Sequence, residues 1–344
     1  MRELTYIAER KLEWREKPDP VLESRTDAIV SPVAATTCDV DTMLITGKSP
    51  LPPPFPIGHE CIAEVIDAGD GVKQVGPGDL VVVPWHIACG RCDRCRAGLT
   101  AHCRSVPPFA MFGAPTGGEW GGLFSDLVRV PFADTMLVPL PPGLDPIAMA
   151  SAGDNLPLAW RLVGPHLIER PGARVLIMSI GSIGLYACDI AGALGASRRL
   201  YVDADPGRRE IAASFGAETA AEIEPMFFSF DLAVDATGDV KALATACQSL
   251  VPEGVCESAG GHFEGGELPL LEMWMASVNL RIARDSAHAH VHEALDLAQD
   301  GRVDPRRVVS DVLDWEALPE ALPELRTKPV FVKGPITTES PGEQ

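Results

Sequence analysis

Two rhythms of apolar and polar positions divide the chain. Up to about residue 150, short β-branched runs are separated by Pro and Gly turns: DAIVSPVAA, ECIAEVIDAG, GDLVVVPW and DLVRVPFADTMLVPLPPGL. Many short strands with few helical periods predict an irregular β-rich domain. From Arg174 the pattern becomes strand, helix, strand: RVLIMSI, GLYACDIAGALGA, RRLYVDA, GRREIAASFGA and FDLAVDATG. That alternation predicts a parallel sheet with right-handed crossovers, as in a nucleotide-binding α/β domain. A further strand near SVNLRIARD, a helix over HVHEALDLAQDG and a strand over KPVFVKG follow. This last stretch is short for a third unit and is expected to return to the first domain, with the tail TTESPGEQ fraying. No internal repeat is visible.

Composition narrows the class. A chain of 344 residues with 46% apolar positions can bury two ordinary cores. With 48 acidic against 29 basic residues the net charge is −19, and no basic stripe stands out. Nucleic acid and anionic membranes are therefore poor partners, and a small-molecule substrate is favoured. The opening MRELTYIAERKLEWREKPDP has no apolar core of a signal peptide, and no run approaches the roughly 18 apolar residues of a membrane span, so a cytoplasmic protein is expected. In that compartment nine cysteines read as thiols or metal ligands rather than a disulfide framework.

Their spacing separates them. CGRCDRCRAGLTAHC sets Cys89, Cys92, Cys95 and Cys103 on one loop. Four thiolates so close match a closed tetrahedral zinc site that serves folding alone, with an iron–sulfur cluster or idle thiols as the alternatives. Cys38 stands apart in TTCDVDTML, and His59 with Glu60 follows in PFPIGHECIAEV. Cysteine, histidine and a carboxylate are suitable ligands for a catalytic zinc with an open position. Taken singly, Cys38 also reads as a core thiol and His59 as a hydrogen-bonded surface imidazole.

With the cysteine cluster, the GHE stretch and the later Gly-rich turn in this order, the chain resembles the zinc-dependent medium-chain dehydrogenase/reductases, the alcohol, polyol and sugar dehydrogenases, over nearly its whole length. The resemblance implies an α/β fold class: a GroES-like β-rich catalytic domain (1–154 and 287–344) plus a Rossmann doubly wound parallel sheet (155–286), with the zinc site in the cleft. It implies Cys38 and His59 as catalytic zinc ligands, with Asp154 of ASAGDNLPLAWR as the remaining one. Asp154 also reads as a helix N-cap. Glu60 would be the carboxylate that approaches or exchanges onto the metal. Asp41 matches the position whose carboxylate accepts the second ring N–H of the ligating histidine and fixes its tautomer. A homodimer or homotetramer is implied as well.

The chain departs from the family where relatives carry a Ser or Thr two residues after the ligand cysteine; here that position is Val40. Proton-route candidates are Asp39, Glu60 and His86, of which His86 is the most plausible substitute, with an ordinary loop histidine as its alternative. Asp39 stands where relatives have Gly or Arg against the cofactor pyrophosphate. Trp85 is expected to form an apolar wall of the substrate pocket. Neither it nor the EWGG loop at 119–122 separates a sugar from a hydrophobic alcohol.

In RVLIMSIGSIGLYACDIAGALGA the family's first glycine is Ser179, while Gly181, Ser182, Ile183 and Gly184 form the turn. Backbone must approach the pyrophosphate at Gly181, and helix must pack on strand at Gly184. Asp203 in LYVDADPGRR lies where a carboxylate accepts both ribose hydroxyls of NAD and repels the 2′-phosphate of NADP. Arg208 reads as a neighbour of the adenine ribose or a solvated helix start, and Thr237 as bordering the cofactor or as a simple turn. Lys328 aligns with a phosphate-contacting basic residue of relatives. His288 and His292, at i and i+4 in HAHVH, have a spacing that could bind metal but, without an acidic partner, read as a solvated helix face. The expected activity is zinc-dependent hydride transfer between an alcohol and NAD, with two zinc ions per chain. An NAD-using epimerase or lyase without net redox, and a non-catalytic zinc-stabilised nucleotide-binding protein, are the rivals.

Overall fold

The computed structural model describes residues 1–334, so the tail TTESPGEQ lies outside the described residues. Two compact units are formed. The first comprises Met1–Gly90, Ser105–Ser151 and the chain from Val309 onward, and the second Arg91–Arg104 with Ala152–Val308.

The first unit opens with a hairpin that the sequence rhythm did not announce, β1 (Arg2–Ala8) and β2 (Lys11–Glu16). Then come β3 (Ala28–Thr36), β4 (Phe55–Pro56), β5 (Glu60–Ala68), β6 (Leu80–Val83), β7 (Val128–Val130) and β8 (Val138–Pro139). The short β4 pairs with β1, and β3, β5, β6 and β8 form successive neighbours in the main sheet, with β7 also on β3. One register fixes what matters for function: Thr36 of β3 pairs with Glu60 of β5 in antiparallel fashion. Cys38 leaves β3 two residues after that pair, and His59 enters β5 one residue before it. A single ladder therefore brings together two side chains some twenty residues apart in sequence.

The second unit is built on six parallel strands: β9 (Arg174–Ser179), β10 (Arg198–Val202), β11 (Glu218–Ala220), β12 (Phe230–Ala236), β13 (Leu250–Ser258) and β14 (Asn279–Ile282). Their order is β11-β10-β9-β12-β13-β14. Counted from β9 this is 3-2-1-4-5-6, the doubly wound dinucleotide-binding order with its switch point between β9 and β12. All seven residues of β12 are buried, as a strand covered on both faces requires. Leu176, Phe230, Leu243 and Cys256 belong to the core packed against one of those faces.

The chain then returns to the first unit's sheet as β15 (Asp311–Asp314) and β16 (Pro329–Val332), with β16 antiparallel to β3. The expected helix near the end runs Val291–Gln299. His288 sits in the 3-10 turn before it, so His288 and His292 do not share one α-helix. Among the described residues, no helix is long and apolar enough to cross a membrane.

Candidate active site and metal centres

The helix Asp39–Ile45 starts directly after β3, and Cys38 is its N-cap. Asp41 closes this first turn: one carboxylate oxygen accepts the backbone N–H of Cys38 at 2.8 Å. Its other oxygen faces Nδ1 of His59 at 3.6 Å, longer than a hydrogen bond, with both side chains buried. Asp41 is thus anchored to the backbone of one candidate ligand and set against the ring of the other. The reverse face of that ring, Nε2, is the nitrogen suited to a metal.

Sγ of Cys38, a ring nitrogen of His59 and a carboxylate oxygen of Asp154 lie within 4.8 Å of one another, and all three residues are buried. Asp154 occupies the N-cap position of the helix Asn155–Glu169, yet its side chain makes no capping hydrogen bond. Three convergent buried donors of thiolate, imidazole and carboxylate type fit Zn²⁺ bound with an open position.

Glu60 is not in that group. Its fully buried carboxylate pairs with Nζ of Lys328, which also donates to the Thr37 carbonyl. Lys328 therefore has a different neighbour from the phosphate expected of it: with no exposed side-chain surface, its ammonium is stable only beside such a partner. His86 is completely buried and stands edge-on to Trp85, ring centroids 4.7 Å apart. Val40 is exposed in the first turn of its helix, and Asp39 is half-buried beside it.

The four cysteines of the loop also converge, their sulfurs within 4.8 Å of one another. Cys92 caps the short helix Asp93–Arg96 and accepts the N–H of Cys95 at 3.5 Å, while the N–H of Arg104 donates to the same sulfur at 3.5 Å. The Ser105 hydroxyl donates to Cys89 at 3.1 Å. Such donors suit sulfurs that carry negative charge, as metal-bound thiolates do. Gly90, between Cys89 and Arg91, has φ +69° and leaves room for Thr135, whose hydroxyl would lie 2.3 Å from any Cβ there. The other thiols differ. Burial pushes Cys61 far up and Cys188 up to about 12, and Cys247 and Cys256 are buried in one core cluster.

At the carboxyl edge of the parallel sheet, Gly181 is the N-cap of the helix Ser182–Ala193. Ser182 accepts a hydrogen bond from Asn155 at 2.8 Å, and Ile183 is buried behind it. Gly184 has no space for a side chain: a Cβ would meet Cβ and Oγ of Ser179 at 2.4 and 2.2 Å. Asp203, at the end of β10, is fully buried and already engaged. Arg208 donates to it through Nε at 2.7 Å and through its amino group at 2.9 Å, Tyr201 donates at 3.0 Å and the Asp205 N–H at 2.9 Å. Arg208 is a lid on this carboxylate rather than a solvated residue.

Sequence reasoning missed a second polar cluster at this edge, across the switch point from Asp203. Asp235 at the end of β12 accepts from the Thr237 hydroxyl at 2.6 Å and from Ser258, at the end of β13, at 2.9 Å. Nε2 of His262 lies 3.0 Å from the Ser258 hydroxyl and 3.3 Å from Asp235. Thr237 bonds Asp235 within its own segment, whereas Ser258 and His262 reach that carboxylate from another strand and another loop. The signal for them was a lone histidine between glycine pairs, GGHFEGG.

Residues 24–142 match the model of the alcohol dehydrogenase GroES-like domain. The chain is 31% identical over 296 residues to a probable zinc-binding alcohol dehydrogenase of Mycobacterium tuberculosis, covering 84% of this chain and 76% of that one. An alcohol dehydrogenase of Geobacillus stearothermophilus is 28% identical over 311 residues, 86% of this chain and 87% of the other. Among solved structures, the alcohol dehydrogenase TADH from Thermus sp. ATN1 superposes with a TM-score of 0.89 at 31% identity, covering 97% of this chain and 100% of that one.

Proposed function

The chain belongs to the zinc-type alcohol dehydrogenases of the medium-chain dehydrogenase/reductase family, and on that premise we propose that it catalyses zinc-dependent hydride transfer between an alcohol, or its aldehyde or ketone, and NAD. The observation that carries this reading is the convergence of Cys38, His59 and Asp154. These three residues hold the catalytic zinc, and Cys89, Cys92, Cys95 and Cys103 hold a second, structural one.

Cys38, His59 and Asp154 would hold a zinc ion, which would supply a Lewis acid to the hydroxyl or carbonyl oxygen of the substrate. The chain's own residues do the rest. Asp41, facing Nδ1 of His59, favours the proton on that nitrogen and leaves Nε2 as the ligand atom. Cys38 is fixed as the N-cap of the helix Asp39–Ile45, its backbone N–H held by Asp41. Glu60 is paired with Lys328 and adjacent in sequence to the ligand His59, so it is available as an alternate ligand only when that ion pair opens. With Val40 unable to move a proton, His86 takes that role beside the apolar wall of Trp85.

For the cofactor, Gly181, Ser182 and Ile183 receive the pyrophosphate at a helix N-terminus. Asp203 selects NAD over NADP by its charge, once Arg208 gives way to the ribose. The test is formation of NADH at 340 nm from NAD and a panel of primary, secondary and polyhydric alcohols, in stoichiometry with carbonyl product. Cofactor binding without net NADH from any of them would favour the epimerase, lyase or non-catalytic readings instead.

A further inference from the structure

We propose that His262 is a cofactor-contacting residue, its Nδ1 accepting a hydrogen bond from the nicotinamide half of the bound dinucleotide; this rests on the dehydrogenase reading above. In a sheet of order 3-2-1-4-5-6 each half binds one mononucleotide outside the carboxyl ends of its strands. Asp203 ends the second strand of the first half, which assigns the adenosine there. The other half then receives the nicotinamide ribonucleotide, and at the ends of its first two strands stand Asp235 and Ser258 with His262 on them.

The hydrogen-bond network fixes the tautomer. A serine hydroxyl donates once and accepts twice. Ser258 donates to Asp235 at 2.9 Å and accepts the Gly260 N–H at 3.3 Å, so its remaining partner, Nε2 of His262 at 3.0 Å, must be a donor. Asp235, 3.3 Å from the same nitrogen, favours the proton there too. In the neutral ring Nδ1 is then an acceptor. It is buried and has no hydrogen-bond partner among the described residues, a costly condition unless a ligand relieves it. Glycines 260, 261, 265 and 266 flank the segment and give it the freedom to turn the ring toward a nucleotide. The donors that the nicotinamide half offers are its ribose hydroxyls and its carboxamide.

The test is calorimetric titration of the full chain with NADH, ADP-ribose and AMP, for the wild type and His262→Phe, which keeps a ring but offers no acceptor. We expect His262→Phe to bind NADH roughly tenfold more weakly, the loss of one net hydrogen bond, with AMP affinity unchanged. A matching loss with ADP-ribose assigns the donor to the ribose, and unchanged ADP-ribose binding assigns it to the carboxamide. His262→Asn, smaller but still an acceptor, should recover part of the loss and covers the case in which Phe does not fit. Equal NADH affinity in wild type and variant overturns the inference while leaving the dehydrogenase reading intact, and so does an equal loss for all three ligands, which marks a structural role. A wild type that does not bind NADH overturns both.

Discussion

Asp41 faces the ring of His59 at 3.6 Å with one oxygen and holds the backbone N–H of Cys38 at 2.8 Å with the other. One carboxylate thus orients two candidate ligands that arrive on different strands. Replacing it by alanine should leave the fold intact but loosen both. Asp41→Ala is expected to weaken the catalytic zinc by roughly 10–100-fold, as losses of such orienting partners do. Competition with a chromophoric chelator would show one zinc lost early and the other retained as in the wild type. Identical release curves would remove Asp41 from the site.

Gly184 and Ser179 compete for one space. Gly184→Ala should lose about 1–3 kcal/mol of stability by overpacking, because its Cβ would meet Ser179 at 2.2–2.4 Å. Adding Ser179→Gly removes that neighbour, and the next atom, of Ile177, is at an ordinary 3.4 Å. Denaturant melts of the double variant should therefore recover most of the loss, and a double variant no better than Gly184→Ala would refute the packing argument.

The pair of Asp203 and Arg208 sets cofactor choice in this account. Asp203→Ala removes the charge that repels a 2′-phosphate and releases a guanidinium able to bind one. The ratio of kcat/KM for NADP to that for NAD should rise by roughly tenfold or more. If steady-state kinetics show the same ratio as in the wild type, Asp203 does not select the cofactor.

Lys328 and Glu60 form an ion pair without exposed side-chain surface. Lys328→Met leaves the Glu60 carboxylate buried without its cation and should cost about 3–5 kcal/mol, whereas Lys328→Met with Glu60→Gln should be much less damaging. Urea denaturation of both variants distinguishes this from a phosphate-binding role, in which Lys328→Met would spare stability and weaken NADH.

What was legible in the sequence followed local rules. The cysteine spacing and the strand–turn–helix around Gly181 are read within one segment, and the change of rhythm at Arg174 marks the parallel sheet. Cys38 and His59 were legible through resemblance, and the β3–β5 register supplies the physical reason for their meeting. Partnerships created by the fold were not legible. Nothing in the sequence near Lys328 announces Glu60, which comes to it because β16 and β5 both flank β3. Arg208 caps Asp203 only because the helix Pro206–Ser214 turns back at the strand end. The cluster of Asp235, Ser258 and His262 needs the β12–β13 register, which pairs Asp235 with Ser258.

If Cys38, His59 and Asp154 form a metal site separate from the four-cysteine loop, zinc content per chain reveals it. Elemental analysis should find two zinc ions in the wild type and one in Cys38→Ser with NADH binding kept, while Cys92→Ser loses the other ion together with stability. A single zinc in the wild type, lost with Cys92 and untouched by Cys38→Ser, would contradict it.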